Sequence, residues 1–249
     1  MGKVLEICVD SLASARNAIG AAADRLELCS ALLAGGLTPY AALLRQIRQE
    51  SDINIRCLMR PRAGDFLYTK DELEMLRDQI FELKEAGADG FVIGCLNQDG
   101  GLDMDAMGPL VDACGGSGIT LHRAIDVSRD LEKTYRDAAD LGIDTVLTSG
   151  GAGSCTAGKQ TIGKLLRLRD EMNGPEVLIG AGVSAGVIAA FRAEFPQARA
   201  FHMSGKGEAE SAMVFRRKGV PMGLPGLDEW HIQQTSREAV KAARIALYK

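Results

Sequence analysis

The sequence predicts a single-domain (β/α)₈ TIM barrel over residues 1–249, because eight short apolar runs alternate with amphipathic stretches along the chain. The runs are regularly spaced, and no Pro/Gly/Ser-rich linker divides them. A length of 249 residues is ordinary for one barrel of this kind. The runs expected to form strands are residues 4–9, 25–29, 53–59, 90–96, 119–123, 145–148, 177–180 and 200–204.

The amphipathic segments between these runs are expected to form the outer helices. Several begin with a helix-start signal, such as the pair Thr38-Pro39, or Thr69 followed three residues later by Glu72. Several end in a glycine just before the next strand, in "AGAD" and "LGID". The expected helices cover residues 39–50, 71–86, 103–114, 130–141, 161–172, 184–195 and 235–248.

An open doubly wound sheet is the alternative architecture. That fold usually has a G-x-G-x-x-G turn after its first strand, and "CVDSLASA" contains no glycine at this place. The closed barrel is therefore favoured, and no nucleotide cofactor is expected. Residues 205–230 are too long for an ordinary connection, and we interpret them as an arm that serves as a lid or an oligomer contact.

Composition argues against several functional classes. The chain has 33 acidic and 29 basic residues, a net charge of −4 and no Lys/Arg-rich run of five or more residues, so nucleic acid is not an expected partner. No stretch reaches about 18 uninterrupted apolar residues, so no membrane span is expected. The first residues look like a strand rather than a secretory leader, and six irregularly spaced cysteines without a C-x-x-C pair favour reduced thiols in the cytoplasm.

A glutamate followed two residues later by a cysteine occurs in "LEICVDS" and again in "LELCSA". Because side chains alternate along a strand, Glu6 and Cys8 share one face, as do Glu27 and Cys29. If that face is the barrel interior, two carboxylates and two thiols lie near one another. Buried carboxylates are costly unless paired, so we expect cations from other strands to meet them.

Candidate partners for these carboxylates stand at the ends of other strands, in "MRPRAGDFLY", "TLHRAID" and "FHMSG". In a barrel, the carboxyl ends of the strands and the loops that follow them carry the chemistry. A network of Glu6 and Glu27 with these groups would form a polar pocket. The alternative is an interior layer of ion pairs that fills the barrel, and the two interpretations are compatible. The candidates are Arg60, Arg62, His122, Arg123, Asp126 and His202.

Inert packing is the default interpretation of any single cysteine, because a buried thiol behaves as a small hydrophobe. The repeated pattern singles out Cys8 and Cys29 as a candidate metal pair. Two thiolates without a cage of imidazoles favour a soft ion, with Cu(I) ahead of Zn(II). The cysteines interpreted as packing residues are Cys57, Cys95, Cys114 and Cys155.

Glycine-rich turns follow the seventh and eighth runs, in "IGAGVSAGV" and "MSGKGE". In barrels these two loops often bind an anion through backbone N–H groups, so Gly182, Ser204 and Gly205 are candidate anion-binding residues. The alternative is that glycine only permits tight turns. No strand carries a lysine for a Schiff base, and the H-E-x-x-H motif is missing, so no named reaction is predicted.

Seven segments occur in an order that resembles the CutC family of copper homeostasis proteins: "LEICVDS", "ADRLELCS", "GGLTP", "MRPRAGDFLY", Asp99–Asp103, "LHRAID" and "VLTSGG". The resemblance implies a cytoplasmic barrel, a homodimer or higher homo-oligomer, and Cu(I) binding by Cys8 and Cys29. This sequence departs from the family pattern at Ala63, Leu121 and Ile125, and in the Ala-Ala before "ADR". The family's polar cluster corresponds to Glu6, Glu27, Arg60, Arg62, Asp65, His122, Arg123, Asp126 and His202.

The sequence therefore indicates two possible functions. The first is a copper homeostasis protein that binds Cu(I). The second is an enzyme acting on a small phosphate- or carboxylate-bearing molecule, with Arg60 and Arg123 holding the anion and Glu6, Glu27 or His122 moving protons. A scaffold whose arm binds a partner protein is a third, weaker alternative.

Overall fold

The computed structural model describes residues 2–220, 222–223 and 228–249, and these residues confirm the closed (β/α)₈ barrel. Eight parallel strands pair in sequence order, and the last pairs with the first. The strands are β1 Val4–Val9, β2 Arg25–Leu28, β3 Asn54–Leu58, β4 Gly90–Ile93, β5 Gly118–Leu121, β6 Thr145–Thr148, β7 Glu176–Ile179 and β8 Ala200–Met203.

Helices pack on the outside of the barrel. Those that the structure describes are α1 Leu12–Gly20, α2 Ala41–Arg48, α3 Lys70–Glu85, α4 Met104–Cys114, α5 Leu131–Asp140, α6 Lys159–Met172, α7 Ala185–Glu194 and α8 Arg237–Tyr248. Helix α1 is not among the amphipathic stretches predicted above. A local signal for its first residue is nevertheless present. The Ser11 side chain accepts a hydrogen bond from the Ser14 N–H as an N-cap, a contact that contributes about 1 kcal/mol to stability.

Six of the predicted strands run one to three residues beyond the observed carboxyl ends. Residues there, such as Cys29 and His122, remain buried, so the apolar pattern continues after the regular pairing has ended. These positions are where the chain turns from each strand into the loop above it. The difference matters for function, because several candidate site residues lie just past a strand rather than within it.

Alternation along the strands separates two cores. Outward-facing residues of β1, Leu5, Ile7 and Val9, pack in the main apolar core that also includes helix residues. Inside the barrel the apolar residues form two smaller clusters. One contains Cys8, Cys29, Leu58 and Val92, and the other contains Leu147, Leu178 and Ala200.

The predicted arm begins with strand β9 Lys206–Glu210, which pairs antiparallel with β10 His231–Thr235, a strand that starts just after the predicted end of the arm at residue 230. Residues 221 and 224–227, which fall within the predicted arm, lie outside the described residues. Exposed apolar side chains are concentrated in the arm, with Val214 99% and Met222 84% exposed. No helix among the described residues is long and apolar enough to span a bilayer.

Candidate functional site

A cavity of about 720 Å³ opens at the end of the barrel where the strands run into their following loops. This size is typical of a small-molecule site. Nine of the candidate residues line it: Cys8, Glu27, Arg60, His122, Arg123, Gly182, His202, Ser204 and Gly205. Glu6, Cys29, Arg62, Asp65 and Asp126 are not among the lining residues that the structure describes.

The twin Glu-x-Cys segments do face the barrel interior, and strand register brings them together. Cys8 lies opposite Glu27 in the β1–β2 pair, and its thiol donates to Glu27 Oε1 at 3.2 Å. The two sulfur atoms of Cys8 and Cys29 are 3.6 Å apart. All three side chains are at most 4% exposed.

Glu6 lies deeper than Cys8 on the same strand and is fully buried. Its carboxylate accepts from Arg25 Nε at 2.5 Å and from His202 Nδ1 at 2.8 Å. Both partners are supplied by neighbouring strands, since Glu6 is paired in register with Arg25 of β2 and with His202 of β8. Of the partners expected from the sequence, His202 meets this carboxylate, whereas Arg60, Arg123 and His122 do not.

These contacts set the protonation of Glu6 and His202. Burial by itself would raise the pKa of Glu6, but Arg25 and His202 outweigh it and lower that pKa to about 2. Burial would likewise lower the pKa of His202, but the carboxylates of Glu27 and Glu6 outweigh it and raise that pKa. The pair is thus an ionised carboxylate with an imidazole that readily holds a proton.

Glu27 and Cys8 shift in the direction of their neutral forms. Burial raises the pKa of the Glu27 carboxyl, and the nearby Glu6 charge adds to the rise. The hydrogen bond to Cys29, burial and the Glu27 charge raise the pKa of the Cys8 thiol well above its ordinary range. Glu27 Oε2 is buried and has no hydrogen-bond partner within the described part of the chain. Binding of a cation here would displace protons from Glu27 and Cys8, and a ligand in the cavity could exchange protons with them.

His122 lines the opposite side of the cavity in a different environment. Its Nδ1 accepts the Ala124 N–H at 3.2 Å, and its ring lies 4.8 Å from that of Phe66. A Cβ at Gly94 would come within 2.5 Å of the ring, so only glycine leaves room for it. Burial and the charge of Arg60 lower the pKa of His122 to about 3. The imidazole is therefore neutral, and its Nε2 is a donor that no described residue pairs with.

Arg60 is held by backbone groups rather than by a carboxylate. Its guanidinium donates to the carbonyl oxygens of Ala34, Gly36 and Gly64 at 2.9–3.3 Å. It also lies 5.2 Å from the ring centroid of Phe66. The positive charge of Arg60 is thus kept at the cavity wall next to His122.

Asp126 holds the loop after β6 instead of facing the cavity. Its carboxylate accepts from Thr148 Oγ1, from the N–H groups of Ser149 and Gly151, and from Arg123 Nε, all within 3.0 Å. Arg123 also donates to Ser149 Oγ at 2.8 Å. Asp126 therefore positions Arg123 at the cavity rim.

Arg62 and Asp65 lie on the surface. Arg62 pairs with Asp65 at 3.0 Å and with Glu72 at 2.7 Å, and the Asp65 side chain is 71% exposed. Strand β3 ends at Leu58, so alternation no longer relates Arg62 to the interior face. The structure does not bring this pair to the other candidates.

The three candidate anion-binding residues lie together at the rim. Gly182 has a φ of +79° and Gly205 a φ of +57°, values that glycine adopts readily. Helix α7 begins beside them, where the Ser184 side chain caps the Val187 N–H. Lys206 adds a positive side chain to the cavity lining. An anion site at this rim stays a prediction.

Strands β1, β2 and β8 form one side of the cavity, which we call the inner wall. Three of its side chains have metal-binding atoms close to one another. A sulfur of Cys8, a carboxylate oxygen of Glu27 and a ring nitrogen of His202 all lie within 4.8 Å of one another. Thiolate, imidazole and carboxylate are all ligands for transition metals. The cysteines interpreted as packing residues, Cys57, Cys95, Cys114 and Cys155, are buried in the main apolar core.

Comparison with known proteins identifies the family of this chain. The model of the CutC family matches residues 3–207. The chain belongs to the CutC family. A CutC family protein of Chromobacterium violaceum is 39% identical over 250 residues and covers all of both chains. A CutC family protein of Vibrio campbellii is 37% identical and covers 99% of this chain and 100% of its own length.

A crystal structure gives the same family. It is that of a Streptococcus agalactiae protein provisionally described as the copper homeostasis protein CutC, 26% identical, with a TM-score of 0.76. That match covers 81% of this chain and 98% of the other. The cavity residues up to Lys206 lie within the stretch matched by the CutC model, whereas most of the arm and helix α8 lie beyond it.

Two residues of this CutC-family site, Arg25 and Phe66, were not predicted from the sequence. A signal for Arg25 was present, because it precedes Glu27 by two residues on the same strand and so shares its face. Phe66 follows a non-regular segment, where alternation gives no orientation. Its contacts with Arg60 and His122 come only from the folding of the loop after β3.

Proposed function

We propose that this CutC-family chain binds one Cu(I) ion between the thiols of Cys8 and Cys29 and takes part in copper homeostasis in the cytoplasm. The observation that carries the proposal is the 3.6 Å separation of the two sulfur atoms. Two metal–sulfur bonds of about 2.3 Å each span up to about 4.6 Å, so one ion can reach both thiols. Soft thiolate ligands select Cu(I), and the cytoplasm keeps such thiols reduced.

A Cu(I) competition titration under anaerobic conditions tests this proposal. The wild-type protein should take one equivalent from a chromophoric chelator. The Cys8→Ser/Cys29→Ser variant should bind more than about 100-fold more weakly, since even substitutions outside the ligand set cost roughly 10–100-fold. A Cys95→Ser/Cys114→Ser variant is the matched control, because these thiols are buried away from the cavity. Equal affinity of the two double variants would reject the proposal.

A second candidate function rests on the size and lining of the cavity. A volume of about 720 Å³ is far more than an ion needs and suits a small organic ligand. His122 Nε2 is a donor that no described residue pairs with, and Arg60 and Arg123 add positive charge on the same side of the cavity. Lys206, which follows β8, adds a further positive side chain to the lining. The proposed ligand is a small phosphate- or carboxylate-bearing molecule.

Thermal shift measurements with a panel of phosphorylated and carboxylated metabolites test the second function. A ligand at 100 times its Kd stabilises the fold by about 2.7 kcal/mol, which is readily detected. The His122→Gln variant should lose part of the stabilisation, whereas His231→Gln, in β10 and outside the cavity lining, should not. No stabilisation by any compound would count against the pocket as an anion site.

The arm supports self-association as a homodimer or higher homo-oligomer. Its tip exposes Val214 and Phe215 beside Arg217 and Lys218, which form no ion pair with any described residue. A second cavity at the base of the arm is lined by acidic side chains and by Leu32, Leu33 and Ile232. The acidic residues are Asp10, Glu208, Asp228 and Glu229. The tip of a second copy matches this cavity in both charge and apolar character.

Light scattering after gel filtration measures the oligomeric state. Val214→Asp should shift the protein to a smaller species, because it puts a charge into the apolar tip. Val127→Asp, at an exposed apolar site outside the arm, is the control and should leave the mass unchanged. An unchanged mass for both variants would show that the arm does not mediate self-association.

A further inference from the structure

The inner wall of the cavity contains a second, mixed set of metal-binding atoms that shares only Cys8 with the Cu(I) pair. Atoms of Cys8, Glu27 and His202 lie within 4.8 Å of one another. All three residues line the cavity, whereas Cys29 is fully buried behind it and is not among the lining residues described. The two donor sets therefore differ in chemistry and in access.

One thiolate, one carboxylate and one imidazole form a borderline donor set. Carboxylate oxygen is a poor ligand for Cu(I), but sulfur, nitrogen and oxygen together suit Zn²⁺. Zinc sites with three protein ligands keep a fourth position for water or a ligand. Because all three side chains reach the cavity surface, a fourth position would face the cavity rather than the protein.

His202 is oriented as metal-binding histidines usually are. Its Nδ1 is hydrogen-bonded to Glu6 Oε1 at 2.8 Å, which leaves Nε2 as the nitrogen for an ion. Glu6 is itself fixed by Arg25 at 2.5 Å, so the imidazole has little freedom to rotate. This chain of contacts matches the carboxylate–histidine support found beneath metal ions.

Glu27 provides an independent indication of a missing cation. The residue is 4% exposed, and one of its oxygens has no hydrogen-bond donor within the described residues. Leaving a buried polar atom unpaired is costly, and such atoms usually mark an unseen partner. A cation beside Cys8 and His202 would supply it.

We propose that Cys8, Glu27 and His202 form an open three-ligand site for a divalent cation of the Zn²⁺ class, with its free coordination position directed into the cavity. This inference goes beyond Cu(I) binding and does not require it, although both use Cys8. The free position can take an oxygen of a small anionic molecule. The cation would then bind the same ligand as Arg60 and Arg123 on the opposite side of the cavity.

Anaerobic titration of the metal-free full-length protein with Co²⁺ tests the site. The wild-type protein should saturate at one equivalent, with a thiolate-to-cobalt charge-transfer band in the near ultraviolet and strong visible bands. His202→Gln and Glu27→Gln should each weaken binding by more than about 100-fold, and Glu6→Gln by about 10–100-fold. His231→Gln and Glu50→Gln, at exposed positions, are the matched controls and should bind as the wild type does.

Cys29→Ser separates this site from the Cu(I) pair. It should lose Cu(I) affinity but keep Co²⁺ affinity within about threefold, whereas His202→Gln should keep Cu(I) and lose Co²⁺. The inference is overturned if Cys29→Ser weakens Co²⁺ as much as Cys8→Ser, if His202→Gln and Glu27→Gln bind Co²⁺ normally, or if Co²⁺ does not bind. Failure of Cu(I) binding with normal Co²⁺ binding would reject only the proposed function.

A measurement on the wild-type protein tests the site even if the variants do not fold. Zn²⁺ should shift the imidazole resonances of His202 and leave those of His231 unchanged. Unchanged His202 resonances at saturating Zn²⁺ would equally overturn the site.

Discussion

Two histidines line the same cavity at the same end of the barrel, yet their surroundings give them opposite chemistry. His202 stands beside the carboxylates of Glu6 and Glu27, which raise its pKa. His122 stands among Phe66, Gly94 and Arg60, and its pKa is lowered to about 3. Both side chains are largely buried, so burial does not account for the difference.

The charged groups on neighbouring strands and loops, rather than the degree of burial, therefore determine the protonation and the ligand preference of each side of the cavity. Strands β1, β2 and β8 form an inner wall that holds carboxylates, thiols and a proton-binding imidazole. The loops after β3 and β5 form an opposite wall with a fixed positive charge and a neutral N–H donor. One wall is suited to a cation and the other to an anion.

The largest expected effect comes from breaking the inner wall with Glu6→Ala. This change leaves Arg25 and His202 without their buried carboxylate, and losing one partner of a buried pair costs about 3–5 kcal/mol. Urea denaturation at pH 7 measures the free energy of unfolding. Glu50→Ala, which breaks an exposed pair with Arg16, is the control and should cost far less, because solvent screens an exposed ion pair. Equal losses in the two variants would remove the distinction between a buried and an exposed pair.

Arg60→Ala is the corresponding change in the opposite wall. It leaves the carbonyl oxygens of Ala34, Gly36 and Gly64 without their donor, and we expect a loss of at least about 2 kcal/mol. It also removes the charge that helps to lower the pKa of His122, so that pKa should rise in the variant. Histidine NMR titration measures the rise, and an unchanged His122 would show that burial alone sets its pKa.

His122→Gln should change how stability depends on pH. Between pH 6.5 and about 3 the unfolded chain binds a proton at this residue and the folded chain does not. Stability therefore rises with pH across this range, by about 1.4 kcal/mol per pH unit, and is lost as the pH falls. Unfolding measured from pH 6.5 to 5 should show a slope smaller by up to this amount in the variant.

The pH range in that experiment stays above the usual glutamate pKa, so the pair at Glu6 adds little to the slope. Glu6 contributes stability that is present above its ordinary pKa of 4.5 and is lost as the pH falls towards about 2. Identical slopes for the wild type and His122→Gln would contradict the low pKa of His122.

The smallest effect is expected from Arg62→Ala, two residues from Arg60. Arg62 is paired at the surface with Asp65 and Glu72, where solvent screens the charges, so its removal should change the free energy of unfolding little and should leave Cu(I) and Co²⁺ binding unchanged. The same urea and metal titrations measure it. A loss as large as that of Arg60→Ala would place Arg62 in the opposite wall after all.

Much of the inner wall could be predicted from local pattern. The offset of two residues in each Glu-x-Cys segment put carboxylate and thiol on one face, and the structure has both faces inside the barrel. The same rule applied to Arg25 would have identified the cation beside Glu6. Arg62 was expected in the pocket only because it follows a strand end, where alternation no longer sets the direction of a side chain, and it lies at the surface instead.

By itself, the sequence determined the alternation of strands and helices, the closed barrel and the residues that share a strand face, because each depends on periodicity over a few neighbouring residues. The register in which neighbouring strands pair could be known only from the folded barrel, because it depends on contacts between residues far apart in the chain. Glu6 and His202 are 196 residues apart and meet because β8 closes the barrel against β1. Their charges, and the contrast with His122, arise from that closure.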